Sequence, residues 1–151
     1  MAPRARSAPS DAAARVRHLI ALDAANVLRR LGERQAEMVR LFSRLRERGP
    51  LLEPLHSWFD TVAFAELSAL SPHEQRAVNA FYAQLGELRW YLRYTEEMPG
   101  QVQLALAQRA RALAEGHHAL TAAIGPPDGV GAPVVEARVV GRGSSGKRRR
   151  G

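Results

Sequence analysis

Apolar side chains recur at helical spacing along most of this chain. Between residues 11 and 48, Val16, Ile20, Ala24, Val27, Leu31, Met38, Phe42 and Leu45 share one narrow arc at about 100° per residue, the pattern of a packing stripe. Ser10 stands before it as a cap and Gly49-Pro50 after it as a stop, so one long helix is predicted. Arg34 breaks the stripe at a would-be core position. Gly32 beside it costs a helix about 1 kcal/mol relative to Ala. A bend or break is therefore expected there, and a long uninterrupted coiled coil is not.

Residues 51 to 70 carry a shorter, more aromatic pattern with Pro54, Trp58, Phe59 and Phe64, and Asp60 and Thr61 stand ready to cap. One or two short helices are expected. The clearest start is Ser71-Pro72-His73-Glu74, which supplies a cap hydroxyl, a proline at the first helical position and a Glu at the third. It opens a helix over 72 to 97 whose stripe is Val78, Phe81, Leu85, Leu88 and Leu92. A last helix, about 100 to 124, packs through Val102, Leu106, Ala110, Leu113, His117, Leu120 and Ile124, and Gly125-Pro126-Pro127 closes it. The expected fold is all-α, an irregular antiparallel bundle of three main helices plus one or two short ones. At 1.5 Å per residue the first helix spans about 57 Å and the later two about 38 Å each. Either the short helices or a second copy of the chain must cover the overhang.

The rest of the sequence, DGVGAPVVEARVVGRGSSGKRRRG, is rich in Gly and Pro and reads as a disordered tail. The domain plan is an arm over 1 to 10, a helical domain over 11 to 125 and a tail over 126 to 151. A chain of 151 residues suits one domain with its own core. With no cysteine, it has no disulfide, thiolate chemistry or cysteine-held zinc, which fits a reducing cytoplasm. No stretch reaches the roughly 18 apolar residues that span a bilayer. The Arg-, Ala- and Ser-rich start resembles a mitochondrial presequence in composition, but its apolar stripe continues in register into the core helix, so a removable leader is not expected.

Charge is unevenly placed. Of the formal +7, residues 1 to 10 carry +2 and residues 126 to 151 carry +4, while residues 11 to 125 hold 14 Arg against 13 acids. Within that domain, residues 11 to 48 are +4 and residues 49 to 125 are −3, which favours docking of the two parts. The tail cluster Lys147, Arg148, Arg149 and Arg150 has the chemistry to grip a polyanion, a nucleic acid included, or simply to keep the chain soluble. Twenty-one of the 22 bases are Arg, a bias that genome composition also produces.

Gly141-Arg-Gly143-Ser-Ser-Gly146 matches the dinucleotide fingerprint letter for letter and nearly matches a phosphate loop. Both motifs work at a helix N-terminus, and five residues after Gly146 leave no room for one. Glu115 and His118 have the i, i+3 spacing of di-iron bundles, but the second Glu-x-x-His is missing. His117 rather than His118 lies in the apolar stripe. No Ser, His and Asp grouping has recognisable context, and Asp60, Glu66 and Glu74 are explained by helix starts or exposed faces. No catalytic, cofactor or metal residue is assigned.

Aromatics carry more information. All nine lie between Phe42 and Tyr94. Trp90 and Tyr94 point about 160 to 200° away from the stripe of their own helix. Either that helix is the central one, sandwiched between the first helix and residues 51 to 70, or these side chains form a partner or homodimer surface. The expected function is a non-enzymatic helical interaction protein, with Trp90, Tyr94 and Arg34 as partner contacts and a weak polyanion-binding tail. The alternatives are a small nucleic-acid-binding protein, and a metal or small-molecule site within the bundle.

Overall fold

The structure, a computed structural model, describes residues 9–42, 44 and 47–127. It is all-α, and the described residues contain no strand. Helix α1 spans Pro9–Phe42, α2 spans Gly49–Leu52 and runs into a 3-10 turn at Glu53–Leu55, a second 3-10 turn spans Phe59–Thr61, and α3 is the single turn Phe64–Leu67. Two long helices follow, α4 at Pro72–Tyr94 and α5 at Pro99–Ile124.

The stripes read from the sequence supply most of the core, with Val16, Ala110 and His117 only partly buried at its margin. Ile20, Ala24, Val27, Leu31, Met38 and Phe42 of α1 are buried with Val78, Phe81, Leu85, Leu88 and Leu92 of α4 and Val102, Leu106, Leu113, Leu120 and Ile124 of α5. Helix α5 packs along both α1 and α4. It is therefore the middle rod, a place the aromatic faces had suggested for α4. Opposite α5, residues 49 to 67 lie in the seam between α1 and α4, touching both. The short elements thus cover the long helix from within the chain.

Helix ends depart from expectation where tertiary contacts override local signals. Helix α1 stops at Phe42, six residues before the expected end, and Gly49-Pro50 opens α2 instead of closing α1. Proline suits a first turn because the missing N–H is unneeded there. Arg48 returns over the end of α1, its guanidinium 4.0 Å from the Phe42 ring and its Nη1 donating to the Phe42 carbonyl at 2.6 Å. Among the described residues that carbonyl takes no backbone donor, and the cation caps it. Ser10 falls inside α1 rather than ahead of it, and Leu45 lies outside the described residues. Helix α1 runs through Gly32 and Arg34 without a break, because Leu31 and Met38 on either side are buried. At the other end, Gly125 leaves α5 with φ +89°, a region open to glycine, and its N–H reaches the Thr121 carbonyl at 2.9 Å.

The start of α4 is as read, with one addition. The Ser71 Oγ accepts from the Glu74 N–H at 3.3 Å and the Glu74 Oε2 accepts from the Ser71 N–H at 2.7 Å. Glu74 is also buried and takes Arg17 of α1 at 2.6 Å. The Arg17 guanidinium holds the Glu74 carboxyl below its ordinary range. Among the described residues this is the only ion pair between the basic first helix and the acidic remainder. Charge balance therefore locates one contact, and apolar burial does the rest.

The Gly32 site has open space around an added Cβ. Gly32→Ala should stabilise the fold by about 0.5–1 kcal/mol in urea denaturation, and a loss of stability would mean the helix is bent there after all.

Candidate functional site

The carbonyls that follow α2 decide the shape of the surface. A helix this short leaves its last carbonyls without intrahelical partners. Arg30 of α1 donates through Nε to the Pro54 carbonyl at 3.2 Å and through Nη2 to the His56 carbonyl. From the other side, Arg89 of α4 donates twice to the Leu55 carbonyl, at 2.9 and 2.6 Å, and reaches Asp60 at 3.2 Å. Two guanidiniums from two helices thus clamp three successive carbonyls.

Beyond the clamp the chain is held by a carboxylate. Asp23 of α1 accepts from the Ser57 hydroxyl at 2.6 Å, the Trp58 N–H at 2.9 Å and the Tyr82 hydroxyl at 2.8 Å. The Phe59 ring stacks on Tyr82 at 3.8 Å between centroids. Burial and the neighbouring Asp23 charge push the Tyr82 phenol far above its ordinary range, so it stays a donor. Sequence reasoning missed this network entirely, since its members are 34 and 59 residues apart.

With the segment so pinned, a groove of about 1030 Å³ opens between α1, the segment and α4. Arg34, Trp90 and Tyr94, the three residues singled out as partner contacts, all line it. Trp90 is 64% exposed and Tyr94 63% exposed, their rings 5.7 Å apart, so the face of α4 away from the core is not sandwiched by another part of the described chain. Trp58 and His56, edge to face at 4.9 Å, stand on the segment side. Arg30, Arg34, Arg89 and Arg93 line the groove against Glu53 and Asp60. Arg30 and Arg89 are spent on the clamp. Arg34 and Arg93 make no hydrogen bond or ion pair with the described residues and are exposed. Gly86 sits in the groove with open space beside it.

Other sequence candidates fall elsewhere. Glu115 and His118 are exposed, and the described residues gather no three His, Asp or Glu side chains for a metal. His117 is half-buried near Phe81, and burial and then His118 hold its imidazole below the ordinary range. Glu97 accepts from the Tyr91 hydroxyl at 2.6 Å. Burial and then that bond push the Tyr91 phenol up to about 12. The glycine motif over 141 to 146 and the cluster Lys147, Arg148, Arg149 and Arg150 lie outside the described residues. No described helix is long and apolar enough to cross a membrane.

Comparison with protein-family models, with curated proteins and with solved structures finds no match. The class that fold and site define is an all-α protein with a basic, aromatic-walled groove.

Truncating a pinned group and an exposed one should separate scaffold from surface. Asp23→Ala leaves three donors without their acceptor and should cost about 3 kcal/mol, whereas Trp90→Ala should stay within about 0.5 kcal/mol, both read by urea denaturation. A large loss for Trp90→Ala would place that ring in the core.

Proposed function

We propose that this chain is a non-enzymatic helical interaction protein whose groove receives an acidic segment of a protein partner. The convergence of Arg34, Trp90 and Tyr94 in one concave surface carries this reading. Amphipathic aromatics offer large contact area with few torsions to freeze, and arginine adds planar, bidentate recognition of carboxylates. Arg34 and Arg93 supply two cations that no described residue pairs with, so carboxylates on the partner complete them. The tail cluster Lys147 to Arg150 adds weak electrostatic attachment, and a cysteine-free sequence is compatible with a reducing cytoplasm.

Glu53 and Asp60 in the groove weigh against a phosphate backbone as its occupant. A peptide can set its carboxylates against Arg34 and Arg93 and its apolar groups against Trp90, whereas a nucleic acid brings a charge at every step.

The test uses the full chain and two 12-residue peptides that alternate Leu or Phe with Glu in one and with Lys in the other, together with oligo(dT). Tryptophan emission should respond saturably to the acidic peptide. Arg34→Glu with Arg93→Glu should weaken that binding at least about tenfold, as expected for loss of charge-assisted hydrogen bonds. Gly86→Leu, which fills the groove without touching the core, should abolish it. Equal binding of the lysine peptide, tighter binding of oligo(dT), or no saturable response to the acidic peptide would overturn the proposal.

A further inference from the structure

A second concavity shares the wall formed by Trp58 and Arg30 with the groove but opens on the other side of it. Its volume is about 410 Å³, within the size range of small-molecule sites. The chemistry is the reverse of the groove's. Leu19, Ile20 and Leu22 of α1, Phe59 and Val62 of the segment, and the Tyr82 ring line it. Leu19 and Leu22 are exposed at its rim, apolar surface that an apolar ligand would cover.

Charge in this pocket is negative. Asp23 and Glu66 line it against Arg30 alone, and the Arg30 guanidinium is turned to the Pro54 and His56 carbonyls. Asp23 has three donors, two on Oδ2 and one on Oδ1, and no cation within ion-pair distance among the described residues. A carboxylate offers about four lone-pair positions. The position left is on Oδ1. Glu66 spends Oε2 on the Ala63 N–H and keeps its charge. A half-buried carboxylate held only by neutral donors still lacks a counter-ion, and a cation brought to it gains more than a neutral group would.

The geometry points to a binding site for an amphipathic ammonium ion, with its protonated amine on Asp23 Oδ1 and its alkyl or aryl part against Leu19, Ile20, Phe59 and Val62. An anionic amphiphile meets the Asp23 and Glu66 charges. A neutral one fills the apolar walls but leaves Asp23 as it was. The site shares only the wall of Trp58 and Arg30 with the groove, and its chemistry does not require a protein in the groove.

Trp58 borders the pocket and is one of only two tryptophans, so Trp90→Phe in the full chain makes it the sole reporter. The chain is titrated at pH 7 with n-octylamine, n-octanol and octanoate below their aggregation limits. Octylamine should change Trp58 emission saturably, with an affinity at least about tenfold above those of octanol and octanoate. Leu22→Arg sets a tethered guanidinium at the rim. Because Leu22 is exposed, the helical circular dichroism should be unchanged while octylamine affinity falls about tenfold. Asp23→Asn should abolish the preference for the amine; should that variant unfold, Leu22→Arg and Glu66→Gln still read the same charge dependence. Octanol binding as well as octylamine, or Leu22→Arg binding the amine like its parent, would overturn the assignment. So would the lack of any saturable response.

Discussion

Two guanidiniums on three backbone carbonyls set the surface of this protein. Residues 54 to 56 leave a helical turn in the seam between two long helices, where their carbonyls take no backbone donor among the described residues. A carbonyl left unpaired away from water costs about 1–3 kcal/mol, so Arg30 and Arg89, reaching in from both sides, fix the path of a segment that Leu51 and Leu55 anchor in the core. Each arginine contributes its methylene stem to the seam and its charge to the dipole end of the turn. Asp23 then holds the next two residues.

From that anchoring follow two concavities of opposite character with one wall between them. The clamp projects Trp58 outward and keeps the segment off the outer face of α4, which leaves Trp90 and Tyr94 open beside the exposed Arg34 and Arg93. The other side of the same wall is apolar and acidic. Both surfaces depend on the path of residues 53 to 62, which is bound mainly by side chains reaching from α1 and α4 and little by its own helical content.

Much of the fold was legible in the sequence because burial imposes a period. The stripes of α1, α4 and α5 name most of the core but miss Ala21 and Tyr91 on those helices and Leu51, Leu55 and Leu70 between them, and the Ser71 to Glu74 box is local chemistry that needs no tertiary information. What could not be read depends on pairs far apart in the chain. The end of α1 at Phe42 is set by Arg48 folding back, whereas the local pattern continued. Glu74 fits an exposed cap until Arg17, 57 residues away, buries it. Arg34 interrupts a stripe and signals a partner surface, and Trp90 and Tyr94 signal the same by pointing off the core. That the three line one groove required the third dimension. Arg30 and Arg89 carried no signal at all, being two arginines in a chain of 21, and Asp23 was one acid among many on a helix face.

Hydrogen exchange on the Arg30→Met, Arg89→Met double variant reads the central claim most directly. Both replacements keep an apolar stem in the seam and remove only the donors. With the clamp gone, the amides of His56, Trp58, Thr61 and Val62, each bonded within the segment or to Asp23, should lose protection while those of α4 and α5 beneath the core keep theirs. If protection over residues 56 to 62 matched the parent chain, the two arginines would not be what holds the segment in place.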